Sequence, residues 1–241
     1  MRVEVAVSAA EAASFTMQGS VAVVIDVLRA TTVITTAIAN GAVACYPVVE
    51  VEEAFALANE IRKNNSDLRV LLSGERGAVL IPGFDLANSP LEFTTAAVSS
   101  AHIVMTTSNG TRALVAARGA EFAYIACLRN AATVARALGD YPQVILICSG
   151  TADRADISDF LAAGAIITEL ATAGVSLELS DLAAICYAYY DPLTLNQRIR
   201  ASFHGQRLLG LGLGDDLDYC CQLNVSDTLP VFDGHRITPK S

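Results

Sequence analysis

The stretch Val21-Ala22-Val23-Val24-Ile25-Asp26-Val27-Leu28-Arg29-Ala30-Thr31-Thr32 decides how the chain is read. A run rich in β-branched residues from Val21 to Val27 is a buried strand, and the polar and small residues after it lead toward a helix. The same unit recurs three times. It is found in Val70-Leu71-Leu72-Ser73-Gly74-Glu75-Arg76-Gly77, in Ile103-Val104-Met105-Thr106-Thr107-Ser108-Asn109-Gly110-Thr111-Arg112, and in Ile145-Leu146-Ile147-Cys148-Ser149-Gly150-Thr151. Further strands are expected at Val3–Val7, Ala42–Val48 and Ala123–Ala126. Helical spacing of apolar residues predicts helices over Glu52–Lys63, Thr111–Arg118, Thr133–Leu138 and Asp156–Thr172. Strand and helix in alternation imply an α/β fold, a mainly parallel sheet with helices on both faces.

After Ser176 the pattern changes. Asp181–Tyr190, Leu193–Leu209 and Asp215–Cys221 read as helices and are followed by a tail containing Pro and Gly. The expected organisation is an α/β domain over residues 1–175 that carries the four turns, and a helix-rich C-terminal lobe over 176–241 packed against it. No Pro/Ser/Gly-rich linker, fixed-period repeat or low-complexity tract interrupts the chain.

Composition narrows the function. Of 241 residues, 53% are hydrophobic and 17% charged, which is too apolar for a disordered chain. The formal net charge of −9, with no basic run to offset it, argues against nucleic acid or an anionic membrane as partner. Apolar stretches such as Leu161–Leu179 are interrupted by Glu169 and Glu178, so no transmembrane helix is expected, and the early Glu4 and Glu11 are unlike a signal peptide. A cytoplasmic protein is expected. Its six cysteines form no C-x-x-C pair and sit mostly in apolar runs, the habit of reduced, buried thiols.

In a parallel sheet the carboxyl ends of the strands share one edge, where ligands bind and helix N-termini present free N–H groups to anions. Ser, Thr and Gly in the four turns allow close approach, and Arg29, Arg76 and Arg112 supply charge-assisted donors. An anion site is the reading, although Ser, Thr and Asp also serve simply as helix caps. Asp26 lies among apolar neighbours and needs a partner there, either Arg29 or a divalent metal. Glu75, Asp85 and Glu92 add carboxylates, and oxygen ligands favour Mg²⁺ over zinc. The three histidines, His102, His204 and His235, have no metal-ligand spacing and read as core, capping or surface residues. The loop Gly83-Phe84-Asp85-Leu86-Ala87-Asn88-Ser89-Pro90 is too long for a tight turn and suits the wall of a site.

Other signatures fail. There is no G-x-x-x-x-G-K-[ST], the Gly210-Leu211-Gly212-Leu213-Gly214 segment is no dinucleotide turn, and Leu28 stands where a D-x-D phosphatase needs its second Asp. Cys148 and Arg154 do satisfy C-x5-R after a strand, the spacing of a thiolate phosphatase, though Ile147 precedes the cysteine and the loop glycines are misplaced.

Four blocks together resemble one family. They are Val24 to Thr32, Gly74-Glu75-Arg76 through Gly83 to Glu92, Thr106 to Leu114, and Cys148-Ser149-Gly150-Thr151. In that order they look like the 2-phosphosulfolactate phosphatase (ComB-like) family. The resemblance implies a ComB-like α/β fold and a Mg²⁺-dependent phosphatase that hydrolyses (2R)-2-phospho-3-sulfolactate to 3-sulfolactate and phosphate, the reaction type of coenzyme M biosynthesis. One stretch departs from the family pattern: Asp159 keeps its final acid, but Ser158 stands where that pattern has a Glu.

The resulting expectation has Asp26, Arg29 and Glu75 as catalytic residues, and Asp26, Glu75 and Asp85 as Mg²⁺ ligands. Thr31, Thr32, Arg76, Ser108, Asn109, Thr111, Arg112, Ser149 and Thr151 are expected to bind a small anionic phosphoester. Two alternatives stay open, a cysteine-dependent phosphatase using Cys148 and Arg154 and a non-catalytic anion-binding regulator of the same fold. Self-association into a homo-oligomer is also left open.

Overall fold

A computed structural model describes residues 1–139 and 141–240 of the chain. Its strands are β1 (Arg2–Ala6), β2 (Val21–Ile25), β3 (Ala44–Pro47), β4 (Arg69–Arg76), β5 (Val79–Leu80), β6 (Ala101–Thr106), β7 (Ala123–Ala126), β8 (Gln143–Cys148), β9 (Glu178–Leu179), β10 (Pro230–Phe232) and β11 (Ile237–Pro239). They form one sheet in the order β5-β4-β6-β3-β11-β10-β7-β2-β8-β1-β9. The pairs β4/β6 and β3/β6 are parallel, as are β2/β7, β2/β8, β1/β8 and β1/β9. This is the α/β architecture expected, with every strand read from the sequence present.

Period-two alternation explains why the sheet is covered twice. Val21, Val23 and Ile25 of β2 pack into a core with the helix Ile157–Thr172, while Ala22 and Val24 face the opposite core with Val33, Ile34 and Ala37 of the helix Ala30–Ala39. Both faces are dry, so the strand reads as a continuous apolar run. Burying each Val or Ile in this way contributes about 1.5–3 kcal/mol. All six cysteines are buried free thiols, as the apolar runs around them suggested.

Three features differ from the sequence reading. First, β4 continues to Arg76 because Glu75 and Arg76 pair antiparallel with Leu80 and Val79 of β5. The connecting Gly77 and Ala78 have φ of 65° and 69°, the conformation of a two-residue hairpin turn.

Second, the span Leu193–Leu209 is two helices, Leu195–Ala201 and Phe203–Gly210. Ser202 breaks it by adopting an extended conformation and capping the second helix, its Oγ accepting from Gly205 N at 3.0 Å. A Cβ on Gly205 would lie 2.0 Å from the Ile199 carbonyl, so only glycine permits the two helices to meet this closely.

Third, the tail forms the antiparallel hairpin β10–β11 in the middle of the sheet, pairing with β7 on one side and β3 on the other. It joins the two parallel halves of the sheet. No described helix is long and apolar enough to cross a membrane.

Candidate active site

The carboxyl ends of β2, β4, β6 and β8 lie along one edge, and a narrow cleft opens there. Asp26, the first residue after β2, lines it together with Arg29 and Glu75. The turn after β6 adds Thr107, Ser108 and Asn109, and the loop after β5 adds Asn88. The second helix of the broken pair closes the far wall with His204 and Arg207.

Asp26 is 6% exposed. Its backbone is held by Thr31, whose Oγ1 donates to Asp26 O at 2.8 Å and accepts from Asp26 N at 2.9 Å. Ala30 N, at the start of the following helix, donates to Asp26 Oδ1 at 3.2 Å. Burial pushes the carboxyl up to about 6, against the opposing charge of His204 and the Ala30 N–H. A Cβ on Gly110 would lie 2.5 Å from the Ala30 Cβ and 2.7 Å from Asp26 Oδ2, so this position too requires glycine.

Glu75 behaves differently. Burial would raise its carboxyl, but Ser108 N donates to Oε1 at 2.9 Å and Ala78 N to Oε2 at 2.7 Å, and the net result is a lowered pKa. Glu75 is therefore a firm carboxylate that also clamps the β6 turn to the β4–β5 hairpin. Arg29 is 4% exposed and donates through Nη1 to Asp216 Oδ2, leaving the rest of its guanidinium beside the cleft.

The structure does not bring the other expected residues to the cleft wall on equal terms. Ser108, Asn109 and Thr151 line it. Ser149 lies behind Asp26 and donates to Asp159 Oδ2 at 3.1 Å. Thr31, Thr32 and Thr111 are spent on the backbone: Thr32 Oγ1 donates to Val27 O at 2.9 Å, and Thr111 Oγ1 accepts from Thr107 N at 2.9 Å. Arg76 turns away, donating to Val49 O and Thr106 Oγ1, both at 3.0 Å. Arg112 pairs with Asp153 at 3.1 Å on the surface. Asp85 accepts from Leu72 N at 2.8 Å and so fastens its loop to β4 instead of facing the cleft. In each case a nearby unpaired backbone or side-chain group captures the polar atom.

Cys148 sits in the hydrophobic core, and burial pushes its thiol well above the ordinary value. That is the environment of an inert structural cysteine, and Arg154 lines a neighbouring cavity instead of the cleft.

Asn88 lines the cleft from the loop that the sequence singled out as a wall, but three residues escaped the sequence reading: His204 and Arg207 line the cleft, and Asp156 stands behind His204. The sequence signal for His204 was the Ser202 cap, which begins a new helix two residues before it. Asp156 has the form of an N-cap, and its Oδ1 does accept from Ser158 N at 2.9 Å; that local role concealed its second one. Behind them, Asp159 accepts from Val27 N at 2.9 Å and Gly150 N at 3.1 Å, tying the ends of β2 and β8 together. Burial, with the charges of Asp156 and Asp26 adding to it, holds its carboxyl well above the usual range.

Oxygen donors for a hard cation are present but sparse. Among the described residues no three His, Cys, Asp or Glu side chains form a metal cluster. Asn88 Oδ1, however, is buried in the cleft without a hydrogen-bond partner, an acceptor lacking a donor or cation. It shares the cleft with the Asp26 carboxylate, and both are oxygen donors of the kind a hard cation such as Mg²⁺ takes.

Comparison with known proteins places the chain in a family. A sequence profile described as 2-phosphosulpholactate phosphatase matches residues 7–235. A protein of Symbiobacterium thermophilum named as a probable 2-phosphosulfolactate phosphatase is 46% identical over 220 residues, covering 90% of this chain and 92% of its own. One from Clostridium perfringens with the same name is 40% identical over 239 residues, covering 98% and 96%. One from Carboxydothermus hydrogenoformans is 40% identical over 218 residues, covering 88% and 85%. With the match running through all four strand-end turns and the helices that carry His204 and Asp216, the chain belongs to the 2-phosphosulfolactate phosphatase family.

Proposed function

We propose that the protein is a Mg²⁺-dependent phosphatase that hydrolyses (2R)-2-phospho-3-sulfolactate to 3-sulfolactate and phosphate, the reaction type of coenzyme M biosynthesis. The observation that carries this reading is the meeting of Asp26, Arg29, Glu75 and the orphaned Asn88 oxygen in one cleft of a chain from this family. Asp26 and Asn88 would hold the metal, with the Glu75 carboxylate in the same wall. When bound, Mg²⁺ supplies charge neutralisation at the phosphoryl oxygens.

The chain's own groups do the rest. Arg29 is locked by Asp216 and offers its remaining N–H groups to the phosphate without having to reorganise. Ser108 and Asn109 present polar groups on a turn that Glu75 holds rigid. Arg207 lines the cleft, and among the described residues no carboxylate pairs with it. It replaces Arg76 and Arg112 as the guanidinium suited to the acid groups at the far end of the substrate.

A phosphate-release assay on 2-phosphosulfolactate, 2-phospholactate, phosphoglycerate and 2-phosphoglycolate, with Mg²⁺ and with excess chelator, tests the reading. Release from the sulfonated ester, abolished by chelator, is expected. 2-Phospholactate should be poorer, since it leaves a guanidinium unpaired. Full turnover after metal removal overturns the Mg²⁺ assignment. No release from any ester, with tight binding of sulfolactate, would make the protein an anion-binding module instead.

A further inference from the structure

His204 is held in a way its sequence context does not suggest. Its Nδ1 lies 2.8 Å from Asp156 Oδ2. Asp156 is unusually well supplied with donors: Thr151 Oγ1 donates to Oδ2 at 2.8 Å, and Ser158 donates to Oδ1 from N at 2.9 Å and from Oγ at 2.6 Å. Burial opposes ionisation there, yet these bonds and the His204 charge bring the carboxyl down to about 2. An ionised carboxylate on Nδ1 fixes the ring with that proton on Nδ1. Its Nε2 has no hydrogen-bond partner among the described residues, and the ring lines both the cleft and an adjoining cavity of about 510 Å³. The Ser202 cap and the close approach at Gly205 fix the backbone that carries it.

A carboxylate that orients one imidazole nitrogen and leaves the other facing a reaction site is the arrangement of a general acid or base. The phosphatase reading, on which this inference rests, requires such a group. The leaving group is the alkoxide of a secondary alcohol, and a loose phosphoryl transition state places charge on its oxygen. Arg29 lines the same cleft but holds its protons too tightly to release one, and Asp26 is assigned to the cation, which leaves the His204 imidazole as the group suited to give a proton.

We propose that His204 is the general acid of the reaction and Asp156 its positioning residue. As the P–O bond to the substrate carbon skeleton breaks, its electron pair stays on the ester oxygen, and Nε2–H gives that oxygen the proton that makes it an alcohol. The oxygen that attacks phosphorus forms the new P–O bond. The proton released from the attacking water returns to Nε2 through solvent, so no other reactant is consumed. The charged groups that share the cleft or the adjoining cavity with the ring are Asp26, Arg29, Glu75, Asp156, Arg207 of its own helix and Arg154 from the loop after β8.

The test uses the full chain with Mg²⁺ and 2-phosphosulfolactate, comparing wild type with His204→Asn, His204→Ala and Asp156→Asn after each has passed a thermal-melting check. In His204→Asn, kcat is expected to fall about 10²–10⁴-fold with KM within about threefold, the scale of lost proton transfer. Wild type is expected to lose kcat on the basic side as its general acid gives up its proton, and that fall should vanish in this variant. Exogenous imidazole should raise kcat of His204→Ala in proportion to the imidazolium present, with the neighbouring cavity as its path. Asp156→Asn should lower kcat at unchanged KM without rescue. A folded His204→Asn within tenfold of wild type overturns the proposal, as does a loss confined to KM or one that imidazole leaves untouched. Wild type inactive on every ester overturns the phosphatase reading itself, a result distinct from these.

Discussion

Arg29, in the turn after β2, donates through Nη1 to Asp216, which lies in the helix Gly214–Cys220; their side chains are only 4% and 3% exposed. Ser89 Oγ donates to the other Asp216 oxygen at 2.6 Å, so one carboxylate from the end of the chain holds two walls of the cleft. Removing one partner of a buried pair strands the other charge. Asp216→Ala should lower the unfolding free energy by about 3–5 kcal/mol in chemical denaturation. It should also depress phosphate release, because the Arg29 guanidinium is freed to rotate. A loss below about 1 kcal/mol would mean that water reaches Arg29 and solvates it.

Asp26→Asn separates function from stability. The carboxyl is raised to about 6 by burial, so above that pH the folded protein carries an ionised group that burial disfavours. For such a raised acid the stability is highest at low pH and declines as pH rises from the unfolded value through about 6. The amide removes this decline. In chelator at pH 8 the variant should therefore melt no lower than wild type, while turnover with Mg²⁺ falls by orders of magnitude. Near wild-type activity in the folded variant would remove Asp26 from the mechanism.

Asp156 has the opposite sign. Its carboxyl, lowered to about 2 from 3.8, contributes stability that is fully present above the unfolded value and is lost as pH falls through the folded one. The shift corresponds to about 2 kcal/mol. Asp156→Asn should be less stable than wild type by that order at pH 6, and the difference should close between pH 4 and pH 2. A difference independent of pH would assign the loss to packing and not to charge.

Cys148→Ser and Arg154→Ala address the thiolate alternative. Cys148 is wholly buried in the apolar core, and Arg154 lies outside the cleft. Both variants should retain kcat within a few-fold, and the buried hydroxyl of Cys148→Ser should cost about 1–3 kcal/mol of stability. An inactive but folded Cys148→Ser would reverse this assignment.

Local physics made much of the molecule legible in advance. Continuous apolar runs rich in β-branched residues mark β2, β6 and β8, because a two-sided sheet needs apolar side chains on both faces. Asp26, Arg29 and Glu75 could be singled out because each lies at or just past the carboxyl end of an apolar strand, where a parallel sheet leaves polar groups free. The break at Ser202 follows from a cap and a glycine within three residues, although the long apolar pattern across 193–209 hid it.

By itself, then, the sequence determined the α/β class, the seven longer strands and the edge at which chemistry gathers, since periodicity and turn chemistry act within a dozen residues. Which polar groups remain available at that edge was decided only by the tertiary structure. Arg76, Asp85 and Arg112 look no different in sequence from Arg29 and Glu75, but Val49 O, Leu72 N and Asp153 lie within their reach. The partners of the working groups come from far along the chain: Asp216 is 187 residues from Arg29, and Asp156 is 48 from His204. The hairpin β10–β11 likewise pairs with β3 and β7, the open edges of the two parallel halves. Short strands of three residues carry too little periodicity to declare themselves, and they form because those edges offer unpaired N–H and C=O groups that burial would otherwise leave unsatisfied.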